Sequence, residues 1–415
     1  MFLAKLALKN LTRHKRRVLI TASIIALGMA MFLIYDSIQT GLNELSFANI
    51  INLETGHIQV VDKEYWEQRE KLPLKNLIAQ SENLSSVIKE IPYFKAATPQ
   101  LKFSANLNNG IDQLPVLACG IDSMTYSQVF TTKDYIIEGS MFNQGKQETI
   151  LGKKLANLMD LKVGDYLTLI FKTKTNTFNT IDLKITGLLQ TNNPKINENL
   201  VYLPLSLAQQ SLNLEGKITG MTIRLKEDGV AQQVSEDLNQ SLASLDNKLA
   251  AHSWRASAGE VIAMSKAETA EKLTIMSLIL LMAAVGIVNT IILSSLERTK
   301  EIGMMKALGL KENEIIFIFM VEAMGIGLIG AILGSLLGSL VILYFNLYGI
   351  NLTALLGGVG DWGLPVMGRL YGYWNLSAFI FVIAFGVIIS LLSSILPARW
   401  VARKDPIEAM YGIHN

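Results

Sequence analysis

The sequence predicts an α-helical membrane protein with four transmembrane helices plus a large extracytoplasmic α+β domain, and three observations predict it. Four runs of bilayer length carry almost no charge: Val18 to Tyr35, Leu273 to Leu296, Ala323 to Gly360 and Leu370 to Ala398. A span needs about 20 apolar residues, and a globular protein's buried helix rarely stays uncharged for so long. Basic residues gather at alternate ends of these runs. Between the first and second runs, residues from about 36 to 272 alternate between helical and extended patterns. The composition agrees, since 50% of the 415 residues are hydrophobic and only 17% are charged. A single soluble core does not suit such a chain.

Residues 1–17 place Phe2, Leu3, Leu6 and Leu11 at helical spacing against Lys5, Lys9 and Lys15. This pattern suits an amphipathic helix in the membrane interface, or a short basic stop that only sets orientation. A basic stretch before an apolar run also begins a secretory signal, but this run is long for one and ends without a small-x-small cleavage site. Basic side chains resist translocation. Lys5, Lys9, Arg13, Lys15, Arg16 and Arg17 precede the first span (18–40), Arg298, Lys300, Lys306 and Lys311 follow the second (269–296), and Arg399, Arg403 and Lys404 follow the fourth (370–398). The segment between the third (313–346) and fourth spans offers only Arg369. Both termini are therefore expected in the cytoplasm, with the large domain, 41–268, outside.

Within that domain, His57 to Val61, Lys102 to Leu107, Leu114 to Cys119, Tyr166 to Phe171, Thr180 to Leu189, Asn199 to Leu203 and Met221 to Leu225 read as strands. Asn76 to Glu90, Gly152 to Asp160, a segment opened by Pro204, Val230 to Leu249 and Ala256 to Lys272 read as helices, the last entering the second span. The mixed parts, about 55–95 and 201–258, enclose a β-rich insert at about 100–200. The lone cysteine, Cys119, has no partner for an intrachain disulfide, so the domain relies on its core.

The second span is followed by a charged helix at 297–312, a shape that suits a socket for a soluble partner. The third span carries Gly330, Gly334 and Gly338, a smooth stripe for close approach of a helix from this chain or a partner. Glu322 at the edge of that span has a structural role or takes part in ion translocation. The segment 347–369 is rich in turn formers, and Tyr371, Tyr373 and Trp374 suit an interfacial aromatic belt.

Catalytic constellations are missing. The four histidines are scattered, with no H-E-x-x-H, no Cys/His cluster and no G-x-S-x-G. Gly139-Ser140-Met141-Phe142-Asn143-Gln144-Gly145-Lys146-Gln147 is a poor phosphate loop, with one residue too many between its glycines and Gln where Ser or Thr should meet magnesium. No metal, cofactor or nucleic acid is expected on this chain, and a role as a non-catalytic subunit follows.

These residues carry a resemblance. Glu297-Arg298-Thr299-Lys300-Glu301-Ile302-Gly303-Met304-Met305-Lys306-Ala307-Leu308-Gly309 is similar to the E-R-x-x-E-I-G-x-x-x-A-L-G of type VII ABC transporter permeases, the group that includes MacB, FtsX and the LolC/LolE lipoprotein-releasing subunits. Leu396-Pro397-Ala398-Arg399-Trp400-Val401-Ala402-Arg403-Lys404-Asp405-Pro406-Ile407-Glu408-Ala409-Met410 resembles that group's closing motif. Leu151-Gly152-Lys153-Lys154-Leu155-Ala156 with Val163-Gly164-Asp165, and Val201-Tyr202-Leu203-Pro204-Leu205, resemble its periplasmic core.

The resemblance implies a porter-like lobe with an insert, a bacterial inner-membrane location and a second permease chain, the same or related. It also implies a cytoplasmic ATPase dimer that holds ATP and magnesium on a separate polypeptide. Glu301, Met304, Met305, Leu308 and Gly309 are then expected to seat in the ATPase, with Glu297, Arg298 and Lys306 at its surface. Four spans and a large outer domain look most like LolC or LolE, which implies lipoprotein extraction and delivery to a periplasmic carrier or adaptor. An acyl cleft is expected from Met31, Leu33, Ile34, Tyr35, Ile38, Leu273, Ile275, Met276 and Ile279. The alternatives are a MacB-like exporter of peptides or small molecules and a mechanotransducer that moves no substrate.

Overall fold

The structure, a computed structural model, describes residues 2–13, 15–297, 299–351 and 369–403. The turn-rich segment Gly357 to Pro365, Arg298 and the end of the closing motif lie outside the described residues. The chain forms two compact units, a helical one (Met1–Asn43, Ser265–Ile350, Arg369–Asn415) and an α+β one (Glu44–Met264 with Asn351–Gly368).

Four helices of the first unit are long and apolar enough to cross a membrane. They belong to the helical segments Lys15–Ile50, Gly259–Glu297, Glu312–Tyr348 and Leu376–Ala402, called here the first to fourth spans. The first span has 36 residues and the second 39, lengths of about 54 and 58 Å at 1.5 Å per residue against a hydrocarbon core of about 30 Å. Lipid replaces water around the bundle, so apolar residues occupy both faces. On the first span Ala22, Ile25, Met29 and Leu33 are buried, while Ile20, Ile24, Leu27 and Met31 are exposed.

Apolar residues gain little from leaving lipid for a helix contact, so close packing decides which faces meet. The glycine stripe of the third span lies on the first span of the same chain. A Cβ on Gly330 would come within 2.8 Å of the Ile25 Cβ, and one on Gly334 within 2.7 Å of the Ala26 carbonyl oxygen. At Gly338 the nearest atom is the Leu33 Cβ at 3.2 Å. Gly327 meets the fourth span, where its added Cβ would collide with Ser390 and lie 2.5 Å from the Gly386 carbonyl. The N-terminal helix Phe2–Arg13 packs on the third span, burying Ala7 with Ile318 and Val321 and joining Asn10 Nδ2 to Glu322 Oε1 at 2.5 Å. Thr21 and Thr290 share a hydroxyl hydrogen bond of 2.5 Å between the first and second spans.

The α+β unit contains β1 (Ile58–Asp62), β2 (Ile78–Ala79), β3 (Phe94–Asn108), β4 (Gln113–Ile121), β5 (Ile136–Gly139) and β6 (Glu148–Gly152). They are followed by β7 (Tyr166–Lys172), β8 (Phe178–Leu189), β9 (Leu200–Pro204), β10 (Lys217–Ile218), β11 (Gly220–Leu225) and β12 (Leu249–Ser253). Ten of them form one sheet in the order β12-β1-β11-β3-β4-β9-β6-β8-β5, with β7 paired to β3 and β8, while β2 and β10 pair separately. The sheet is mixed: β4 runs parallel to β9 and β6 parallel to β8. Its core joins Ile58, Leu101, Phe103, Leu151, Leu183, Val201 and Ile223, each with no more than 1% exposure.

Several expected elements shift. The boundary expected near residue 100 falls inside β3, whose first half pairs with β11 and whose second half pairs with β7. One strand thus carries both the mixed part and the β-rich part. The helix expected over Asn76 to Glu90 begins only at Glu82, because Ser81 caps it by accepting from the Leu84 N–H, and Ile78–Ala79 pairs with β10 instead. Val230 to Leu249 is interrupted: the helix is Ala231–Leu245, a turn at Asp246 follows, and Leu249 starts β12. Pro204 ends β9 and precedes its helix, Leu205–Leu212, as the cap. The poor phosphate loop follows β5, with Phe142 buried in it.

Two outcomes test this packing. Gly334→Leu should lower the melting temperature of the membrane-embedded protein, because backbone at 2.7 Å cannot yield as a side chain does; overpacking costs about 1–3 kcal/mol, and an unchanged melt would contradict the contact. The second concerns His57, which is buried in the sheet. Leu225 N–H donates to its Nδ1 at 3.2 Å, so Nε2 carries the proton and donates to Asp228 Oδ1 at 2.6 Å. Burial lowers the His57 pKa below the usual histidine value despite the Asp228 carboxylate, and Arg224 and Lys95 push the same way. The unfolded chain therefore takes up this proton first. The stability from neutral His57 is complete above about pH 6.5 and declines as the pH falls below that value. His57→Asn, which keeps an acceptor and does not titrate, should make acid-induced unfolding shallower. It should not abolish it, since burial and Arg69 lower His252 in the same direction.

Candidate functional site

The charged segment after the second span forms a short helix, Thr299–Ala307. Its stop is a Schellman motif. The N–H of Gly309 donates to Lys306 O at 2.9 Å, the N–H of Leu310 to Met305 O at 3.1 Å, and Gly309 has φ +94°. An L side chain is strained there, which is why glycine is the residue at this turn. The motif brings Leu310 and Met305 to the same apolar cluster. Lys311 N–H then donates to Glu314 Oε2 at 2.8 Å, and Glu312 and Glu314 favour the positive end of the third span.

This geometry sorts the expected socket residues into two faces. Ile302 is 3% exposed and anchors the helix, and Met305 packs inward beside it. Met305 is half-buried and packs with Ile302 against the bundle, because successive residues of a helix turn by about 100° and Met304 and Met305 therefore face different sides. Met304 and Leu308 point outward, at 52% and 82% exposure, and Gly309 and Glu297 are exposed. Lys306 is half-buried. Glu301 accepts from Arg13 Nη1 at 3.0 Å, which ties the N-terminal helix to this one. Arg13 is largely exposed, so the pair fixes geometry more than it adds stability.

At the opposite end of the bundle the first and second spans meet directly. Leu33, Met276 and Ile279 are buried in the bundle core, and Ile279 lies 3.0 Å from where a Gly28 Cβ would stand. Met31 and Leu273 are instead exposed at 63% and 64%, while Ile34, Tyr35, Ile38 and Ile275 are half-buried. The nine residues expected to share an acyl cleft thus divide between core and surface. Residues at i and i+2 on one helix face different ways, so Met31 and Leu33 cannot line the same surface.

The polar link at this end was not foreseen. Asp36 has a 7% exposed side chain; its Oδ1 accepts from Lys272 Nζ at 2.8 Å and its Oδ2 from Asn375 Nδ2 at 2.9 Å. The first span, the second span and the start of the fourth are held on one carboxylate. The signal in the sequence was a charged pair at the edges of apolar runs, its members 236 positions apart.

The helices, the short exposed helix between the second and third and the α+β domain define the class: a polytopic membrane protein with a large extramembrane domain. Residues 18–241 match the MacB-like periplasmic core domain and residues 273–406 the FtsX-like permease C-terminal family. The chain belongs to the MacB/FtsX-type ABC transporter permeases. It is 28% identical over 69% of its length, and 68% of the relative's, to an uncharacterized ABC transporter permease of Methanocaldococcus jannaschii. It is 23% identical over 98% of its length to the macrolide export ATP-binding/permease protein MacB 2 of Aeromonas hydrophila, spanning 60% of that relative. The crystal structure of the periplasmic region of MacB from Actinobacillus actinomycetemcomitans covers 52% of this chain and 95% of its own, at 15% identity and a TM-score of 0.36.

Asp36→Leu should be more damaging than Asp36→Leu combined with Lys272→Met. The single change strands a half-buried ammonium, at a cost of about 3 kcal/mol, whereas the double change removes both charges. Equal melting temperatures for the two variants would show that the pair does not hold the spans.

Proposed function

We propose that this chain is the permease subunit of an ATP-driven transporter that works by mechanotransmission in a bacterial inner membrane. In this reading both termini are cytoplasmic, the α+β domain is periplasmic, and a partner ATPase dimer binds ATP and magnesium. The observation that carries it is the anchored helix Thr299–Ala307, which turns Met304 and Leu308 outward while Ile302 and Met305 pack inward. A rigidly seated helix with a protruding apolar edge receives a push without deforming. The basic residues at this end support its cytoplasmic side.

The cargo in this reading is lipoprotein, drawn from the outer leaflet and passed to a periplasmic carrier. The apolar stripe Ile20, Ile24, Leu27 and Met31, facing away from the bundle core, supports it. Recurring at i, i+4, i+7 and i+11, the stripe suits a seam shared with a second permease chain, identical or related, in which acyl chains lie. Export of small molecules is the second reading, favoured by the similarity to a macrolide export protein.

Leu308→Asp should weaken ATPase capture on the order of 30-fold, the loss of a docking anchor of about 2 kcal/mol, without changing the melting temperature. Undiminished capture would remove the socket. Leu27→Lys should leave ATP hydrolysis in place and strand lipoproteins in the inner membrane. Normal lipoprotein release with reduced macrolide efflux would favour export.

A further inference from the structure

The α+β domain holds an open cavity of about 540 Å³ that the transport cycle proposed above does not use. Its floor is one face of β1, β11, β3, β4 and β9, which lie side by side in that order. Side chains alternate across a sheet, so residues two apart share a face. The floor accordingly takes Gln100 and Lys102 from β3, Leu117 and Cys119 from β4, and Leu200 and Tyr202 from β9. The registers align them, with Lys102 opposite Cys119 and Cys119 opposite Tyr202. Trp66 forms part of the lining as a fixed plate. It stacks on His252 with ring centroids 3.9 Å apart, and the Arg69 guanidinium lies 4.3 Å over its ring. Ile196 adds a further apolar surface.

The charges around this space are unequal. Arg69, Lys102 and Lys195 line it, against the single carboxylate Glu54, and Glu54 already accepts from Asn193 Nδ2. Lys102 is half-buried and belongs to no ion pair among the described residues. A partly desolvated ammonium above an apolar floor gains most from an anion that brings its own hydrocarbon. The volume is in the range of about 300–1,000 Å³ typical of small-molecule sites.

We propose that this cavity binds an anionic amphiphile, its carboxylate or phosphate headgroup at Lys102 and its hydrocarbon body along Leu117, Ile196 and Leu200. The inference stands apart from the ATPase socket and from the identity of the cargo.

The test uses the full chain in phosphatidylcholine nanodiscs with two photoreactive probes, a decanoate and a decanol that each carry a terminal diazirine. Labelled peptides are mapped by mass spectrometry. Decanoate should label the β4 and 194–202 peptides, and unlabelled decanoate or decyl phosphate should suppress that labelling where unlabelled decanol does not. Lys102→Met should reduce decanoate labelling at least tenfold, leave the decanol signal unchanged and preserve the melting temperature, and Lys102→Arg should retain the labelling. Decanoate labelling confined to the spans, or an equal effect of Lys102→Met on both probes, would overturn the proposal.

Discussion

Asp36 sits where the bundle opposite the N-terminal helix would otherwise separate, and its two carboxylate oxygens take Lys272 and Asn375. A carboxylate so little exposed needs donors, and the only way to supply them is to hold three helices in fixed rotation. Rotation in turn decides which residues meet elsewhere: Ile279 against Gly28, and Thr21 against Thr290. The other end is tied by Asn10 to Glu322 and by Arg13 to Glu301. Between these polar ties, the Gly330, Gly334 and Gly338 stripe lets the first and third spans touch along their backbones. The bundle therefore owes its specificity to a few polar contacts at its ends and to missing side chains in its middle, because apolar surface alone does not choose a partner in lipid.

Much of this was legible from residue types. Uncharged runs locate the four spans, since length and lack of charge need no tertiary information. Gly309 marks the end of the short helix Thr299–Ala307 because a left-handed turn favours that residue. The glycine stripe is visible, but the helix it meets is not, because spacing describes only one side of a contact. The two adjacent methionines show the same limit: Met304 and Met305 are chemically alike, and only the rotation at which the helix is seated on the bundle sends one outward and the other inward. In the α+β domain, β6 (ETILG) and β12 (LAAHS) show no clean apolar/polar alternation, since most residues of both faces lie buried in the sheet. The floor of the cavity was illegible for another reason. Lys102, Cys119 and Tyr202 become neighbours only through the register of three strands.

β3 gives the α+β domain its unity. A 15-residue strand that pairs with β11 at one end and β7 at the other prevents the mixed part and the β-rich part from moving as separate bodies without breaking ladder hydrogen bonds. The two hydrophobic clusters of the domain share this strand, with Leu101 and Phe103 in one and Ala96 in the other. Tyr126 and Tyr202 meet at 3.1 Å in the second cluster, where burial keeps both phenols protonated and also raises the Cys119 thiol to about 11. That thiol remains neutral at physiological pH, so Lys102 faces no thiolate across the strand pair.

The spans also differ in bending stiffness. The second contains no proline in its 39 residues, whereas the fourth holds Pro397 near its end, where the missing N–H leaves the Ser393 carbonyl without its helical donor. Unbroken helices curve only gently, with radii of about 60–100 Å, while a proline concentrates flexure within one turn. A torque applied beside Glu297 therefore travels the second span as along a drive shaft. The same torque applied to the end of the fourth is spent at its elastic joint.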